Sequence, residues 1–205
     1  MKILQIIIVM LLFFFASQTA FVHAAGEERQ RAVKRKPVKL EKGRWAFSFQ
    51  GLGDITTNQR ARKHFRSGLG VGLRTGYGFW EGLSGELEFQ YDLLLKEKGT
   101  NKIEENKNLY TLAPGLRYTG YFIKDEMSWY LFVLPGVTFD YTKSINSTFN
   151  FSYAGGMGFD FDLTENLYVG PVFKYRHVVE DVVDDHDMDV HLISIGAAVT
   201  YLFDK

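Results

Sequence analysis

A period of two runs through this chain from Trp45 to Phe203, and it limits the fold more than any other feature of the sequence. Leu69, Val71, Leu73, Tyr77 and Phe79 alternate with Gly68, Gly70, Gly72, Arg74, Gly76 and Gly78. Farther on, Phe149, Phe151, Tyr153, Met157, Phe159 and Phe161 alternate with Asn150, Ser152, Ala154, Gly156, Gly158, Asp160 and Asp162. The pattern recurs in six further segments, which open near Trp45, Leu83, Tyr110, Trp129, Leu167 and Ile193. Successive side chains of a strand point to opposite faces, so this alternation specifies eight strands with one large apolar face each. No amphipathic stretch of helical period and length interrupts them. Only Tyr130, Phe132 and Leu134 blur the pattern, placing bulk on the small-residue face of the fifth strand.

Volume decides which face is inside. A barrel of eight strands has an interior just wide enough for ordinary side chains to fill, and the large apolar residues are far too many for it. The glycine-rich, charged face fits, because glycine leaves room for Arg74, Arg117, Lys174 and Arg176 to meet Glu86, Glu88, Asp92, Asp140, Asp160 and Asp162. A barrel that is apolar outside and charged inside belongs in a bilayer, where closure satisfies every backbone donor and acceptor. The expected fold is therefore all-β: an eight-stranded antiparallel up-and-down transmembrane β-barrel over residues 44–205. Trp45, Trp80 and Trp129 fall at strand ends that this topology gathers on one rim, as an interfacial aromatic girdle. Connections on that rim are short, at Glu81-Gly82, 124–126 and 164–166. The alternate ones, 55–66, 96–106, 143–147 and 180–187, are expected to be mostly longer.

The N-terminus reads differently. Met1 and Lys2 precede an apolar run from Ile3 to Phe15, and Val22-His23-Ala24 supplies small residues where a signal peptidase cuts. Residues 1–24 are expected to be a signal peptide rather than an anchor, since the run is shorter than the roughly 20 residues a spanning helix needs. Residues 25–43 carry Arg29, Arg31, Lys34, Arg35, Lys36, Lys39 and Lys42 against Glu27, Glu28 and Glu41, the composition of a flexible, disordered basic tail. The chain holds 24 Lys plus Arg and 24 Asp plus Glu, so its neutrality is the sum of a basic tail and an acidic barrel. That balance argues against nucleic acid as a partner. Cysteine is absent, which excludes disulfides, thiolate metal sites and a cysteine nucleophile.

Three stretches carry a family likeness. Gly158-Phe159-Asp160-Phe161-Asp162-Leu163-Thr164-Glu165-Asn166-Leu167, continuing to Tyr175, forms one hairpin pattern. Glu81 to Tyr91 repeats it, with Leu83, Phe89 and Tyr91 standing where Leu167, Phe173 and Tyr175 stand. The last strand alternates to Tyr201 and Phe203, with Asp204 and Lys205 following the final aromatic. These residues resemble the common hairpin and the C-terminal assembly signal of the small outer-membrane barrel family that includes OmpA-type and OmpX/Ail-type proteins. The resemblance implies a monomer in the outer membrane of a Gram-negative bacterium. Its implied partners are outer-membrane lipid, lipopolysaccharide and the barrel-assembly machinery. Short periplasmic turns and longer outer loops would place both termini in the periplasm. There the basic tail serves either as a solvating spacer or as an element binding anionic lipid or peptidoglycan. An Ail-type likeness further implies adhesion or host-protein binding by the loops.

Candidate chemistry is sparse. His191 and Ser194 are close in sequence, but strand alternation sends them to opposite faces, so they cannot act as nucleophile and base. The His-x-Ser-Asn pattern of lipid A deacylases is missing as well, and no enzyme is expected. Asp181, Asp184, Asp185, His186, Asp187 and Asp189, flanked by His177 and His191, form an acidic cluster in which the spacing Asp185, Asp187, Asp189 resembles the start of a calcium loop without its glycine or closing glutamate. A solvated acidic loop is the expectation there, with no metal and no cofactor. Barrel closure would bring this loop beside Arg60, Arg62, Lys63, His64 and Arg66 of the first outer loop, as opposed charge clusters of weak exposed pairs.

The expected function is a structural or surface-interacting membrane protein with an occluded, charged lumen and outer loops as contact sites. A narrow passive pore is the alternative within the same fold. From another class, a lipocalin-like carrier of an apolar ligand is suggested by Gly43-Arg44-Trp45, the Gly-x-Trp opening of that family. Such a carrier turns its apolar face inward, which the number of large residues opposes.

Overall fold

A computed structural model describes residues 42–96, 106–121, 127–142, 145–179 and 189–203. The signal peptide, nearly all of the basic tail and the acidic residues Asp181, Asp184, Asp185 and Asp187 lie outside the described residues. Eight strands follow one another: β1 (Trp45–Thr56), β2 (Phe65–Trp80), β3 (Leu83–Lys96), β4 (Lys107–Tyr121), β5 (Met127–Thr142), β6 (Ile145–Asp162), β7 (Leu167–Val179) and β8 (Val190–Phe203). Each pairs antiparallel with the next, and β1 pairs with β8 to close the barrel. The fold is the eight-stranded up-and-down barrel that the alternation calls for.

The burial of each strand repeats with a period of two, as in β2, where glycine and Arg74 are buried and Leu69, Val71 and Leu73 are exposed. Leu69 is 64% and Val133 58% exposed on the outer surface, whereas Arg74, Lys174 and Arg176 are 1–2% exposed inside. A soluble carrier has the reverse arrangement, and the barrel is inside out for that role.

Turn chemistry fits the sequence. Gly82, between β2 and β3, has φ of 75°, and its carbonyl accepts from the Thr119 amide at 2.7 Å. A Cβ there would stand 2.7 Å from the Thr119 oxygen, so the position needs glycine for both backbone angle and space. At the β6–β7 turn, Thr164 Oγ1 accepts from the Leu167 amide at 3.2 Å. The Asn166 carbonyl accepts from the Leu202 amide at 2.8 Å, while its side chain accepts from Arg44. This hairpin thus ties the start of β1 and the end of β8 to one rim.

Two connections differ from expectation. β5 and β6 extend until Thr142 pairs with Ile145, so the connection expected over 143–147 is as tight as the turns on the other rim. Backbone pairing of β-branched Thr142 and Ile145 prolongs the ladder where the polar residues suggested a loop. The β1–β2 connection contains one helical turn, α1 (Gln59–Arg62). Ala61 on that turn is buried against Phe65 and the end of the barrel.

Candidate functional site

The inner face presents three layers. At the end bearing α1, Ala61, Phe65, Leu94, Leu109, Val178, Val190 and Leu192 form an apolar cluster. Below it lies a polar network, and within the barrel a second cluster joins Tyr130, Phe132 and Leu134 to Leu52, Ala113, Ala154 and Val172. At the other end Ala46, Tyr168 and Leu202 make a third.

Glu88 is the centre of the network. Its neighbour in register across β2–β3 is Arg74, whose Nη2 and Nε donate to Glu88 Oε2 at 2.6 and 3.1 Å. Arg74 Nη1 also reaches Glu86 Oε2 at 3.2 Å. From β7, Lys174 Nζ donates to Glu88 Oε1 and Oε2 at 2.7 and 2.8 Å and to Gln90 Oε1 at 2.6 Å. With its oxygen turned to Arg74, the Gln50 carboxamide accepts from Nε and Nη2 at 3.2 Å. One level outward, Arg176 Nη1 is paired with Asp92 and donates to Thr111 Oγ1 at 3.3 Å. Toward the other end, Arg117 Nη2 donates to Asp160 Oδ2 at 2.5 Å, and its Nη1 lies 3.7 Å from Glu86 Oε1.

Rings complete the packing. The Arg117 guanidinium lies 3.7 Å from the Tyr130 ring centre and that of Arg74 4.3 Å from Phe132. Weakly hydrated guanidinium planes stack on aromatic faces, so both cations are held by charge and by ring contact together. Gly158 makes this possible, because a Cβ there would run into the Tyr130 ring.

Most of the inner charges named from the sequence are brought together here. Asp140 is paired with Lys107, whose Nζ is 2.6 Å from Asp140 Oδ2. Lys107 is not evident from the sequence because it borders a polar loop, although it shares the parity of Thr111 and Arg117. Asp162 is a correction: the last residue of β6 is exposed, since the barrel wall ends there and leaves no lumen to enclose it. Also unforeseen is the apolar mouth. Its sequence signal is the doubling of apolar residues at the strand ends near α1, Leu93-Leu94 and Leu192-Ile193, where both faces need bulk.

The rims follow. Trp45 and Trp80 are exposed at strand ends, and Trp129 is half-exposed with its indole over Gly120, its partner in register. Arg62, Lys63 and Arg66 are exposed beside the opposite rim, and Arg60 lies on α1. The first loop touches the start of β8 through Thr57 N to the His191 carbonyl, 2.9 Å, and Asn58 Nδ2 to the Asp189 carbonyl, 2.9 Å. His191 and Ser194 stand on opposite faces: Ser194 Oγ donates inward to Asp54 Oδ1 at 2.5 Å, whereas His191 faces outward beside Tyr175.

Residues 6–201 match the family described as outer membrane protein beta-barrel domain. The chain belongs to that family. As an outer membrane barrel it resides in the bacterial outer membrane, its apolar surface facing lipid. Its fold is similar to that of Neisserial surface protein A (NspA), with a TM-score of 0.62 at 14% identity, covering 79% of this chain and 100% of that one. It is also similar to the outer membrane protein OprG from Pseudomonas aeruginosa, with a TM-score of 0.56 at 13% identity, covering 81% and 99%. No curated protein sequence matches this outer membrane barrel.

Proposed function

We propose that this protein is a closed outer-membrane barrel, structural in its wall and lumen, whose outer loops form its contact surface with other molecules. The observation that carries this reading is the ion pair between Lys174 of β7 and Glu88 of β3, strands on opposite sides of the closed wall. A bond across the full width of an eight-stranded lumen is a bar, with the Phe132 ring packed against Arg74 beside it and the apolar mouth closing the end that bears α1. An aqueous pore needs an open path, and the ion-paired side chains, the rings stacked on them and the apolar mouth fill this lumen.

Both termini of the barrel lie on the rim with the tryptophans and the tight turns, which supports a periplasmic position for them. The opposite rim, with exposed Arg62, Lys63 and Arg66, is then the cell-surface face. Planar-bilayer recording tests the closed state: pure protein gives no steady conductance steps. Regular open-channel steps would overturn the reading. Protease treatment of intact cells tests the orientation, with cleavage expected in the first outer loop and none before Trp45.

A further inference from the structure

A row of aromatic side chains crosses the outer face of three adjacent strands at the rim that bears α1. Tyr153 of β6 is the register partner of His177 of β7, and His177 is the partner of His191 of β8. The two imidazoles face each other with centres 4.1 Å apart and planes inclined by 33°. Asp189 immediately precedes β8, two positions before His191. Its Oδ2 lies 3.3 Å from His177 Nε2.

The tyrosines engage the Nδ1 atoms and leave Nε2 as the candidate ligand atom of each ring. Tyr153 Oη is 2.6 Å from His177 Nδ1, and Tyr175 Oη is 2.7 Å from His191 Nδ1. In the tautomer where each Nδ1–H donates to its tyrosine oxygen, the Nε2 lone pair of each ring is left to take a ligand. His177 Nε2 is buried and makes no hydrogen bond, the contact with Asp189 lacking the required geometry. One ligand atom from each of His177, Asp189 and His191 lies within 4.8 Å of the others. Metal-bound histidines characteristically donate their second ring N–H to a neighbour, which orients the ring and strengthens the ligand. That neighbour is present twice here.

We propose that His177, Asp189 and His191 bind one divalent transition-metal ion, with zinc as the reference ion, and that Tyr153 and Tyr175 orient the two histidines. Two imidazole nitrogens and one carboxylate oxygen suit zinc, copper or nickel. Calcium and magnesium are disfavoured because they take oxygen donors, and more of them. Bonds of about 2.0–2.1 Å draw three tetrahedral ligands closer together than they stand here, which rotation of the Asp189 side chain and slight closure of the rings supply. The fourth position is open to water. A bound ion clips β7 to the first turn of β8, at the outer end of the strand that closes the barrel. The two histidines come from strand ends and Asp189 from the last position of the connecting loop.

Calorimetry of zinc chloride into the untagged, folded full barrel in detergent micelles tests this. One ion per chain is expected at micromolar concentration, with no heat from magnesium or calcium chloride. His177→Ala and His191→Ala each lower the affinity by tenfold or more, and Tyr153→Phe and Tyr175→Phe by about 10- to 100-fold. His64→Ala and His186→Ala leave it unchanged. Heat-modifiable gel mobility reports whether each variant is folded. X-ray absorption of zinc on the wild-type protein, independent of any variant, is expected to show two imidazoles around the ion. Absence of zinc binding, retention in the double variant of His177 and His191, or fewer than two imidazoles at the ion each overturns the site.

Discussion

Lys174 Nζ stands 2.7 and 2.8 Å from the two carboxylate oxygens of Glu88, although the residues are 86 positions apart and belong to β7 and β3, on opposite sides of the barrel. Glu88 is shared with Arg74, so one carboxylate holds two cations. The pair couples the two halves of the wall through the lumen, in addition to the backbone ladder that runs around it.

The sharing makes the two ends of this bar unequal. Glu88→Ala takes a carboxylate from two buried cations at once, leaving Arg74 to Glu86 and Lys174 to Gln90, and losing one partner of a buried pair costs about 3–5 kcal/mol. Lys174→Met leaves Glu88 still bonded to Arg74 and costs less. Urea unfolding of the barrel in lipid vesicles is expected to rank Glu88→Ala well below Lys174→Met. Equal destabilisation would contradict the central role of Glu88.

The ring layer is expected to hold the lumen shut and to stabilise it. Phe132→Ala and Tyr130→Ala each remove a buried ring, at a cost of about 3–5 kcal/mol for such truncations. Each also uncovers a guanidinium, Arg74 or Arg117 respectively. Because both rings belong to one cluster, their effects should fall short of additive. Denaturation midpoints check the stability. Recording of the double variant checks the seal, with current noise or brief openings expected where the wild type gives none.

Gly120 and Trp129 form a pair on the outer surface. A Cβ on Gly120 would run into the indole, so Gly120→Val must swing the ring away from the wall. The indole also has an edge contact with Tyr118, centres 5.8 Å apart, which the same movement breaks. In a background with Trp45 and Trp80 replaced by Phe, a shift in Trp129 emission is expected, with destabilisation of about 1 kcal/mol for the lost cross-strand contact. Unchanged emission would count against the packing.

Val133 is exposed near the middle of β5, opposite Leu116 and Gly155. In a bilayer, Val133→Arg is expected to destabilise by about 2–4 kcal/mol, the usual depth-dependent cost of a cation on the lipid face. In detergent with a mobile, hydrated surface the effect should shrink. Parallel unfolding series in vesicles and micelles distinguish the two, and equal effects would mean that Val133 does not face the acyl chains.

Much of this was legible in the residues. Leu69, Val71 and Leu73 against Gly70, Gly72 and Arg74 reveal a strand with a lipid face, and repetition of that pattern supplies the number of strands. Arg74 opposite Glu88 is nearly legible too, since both flank one tight turn at Gly82 and hairpin register is set by turn length. Lys107, the apolar mouth and the His177–Asp189–His191 cluster were not. Lys107 sits beside a polar stretch that hides its strand. Leu94 lies between Leu93 and Leu95 and Leu192 adjoins Ile193, so alternation of apolar and polar residues does not single out the one that turns inward. His177 and His191 flank a loop rich in aspartate, and only register, not sequence distance, reveals that they face each other.

The sequence by itself determined the alternation, the strand count and the inward face, because a strand's period is local and the interior volume of a small barrel is limited. The tertiary structure alone decided which charges meet across the lumen. Glu88 and Lys174 reach the same level only after strand tilt and the stagger accumulated around the closed sheet are fixed. That stagger belongs to all eight pairings together, and no segment of the chain carries it alone.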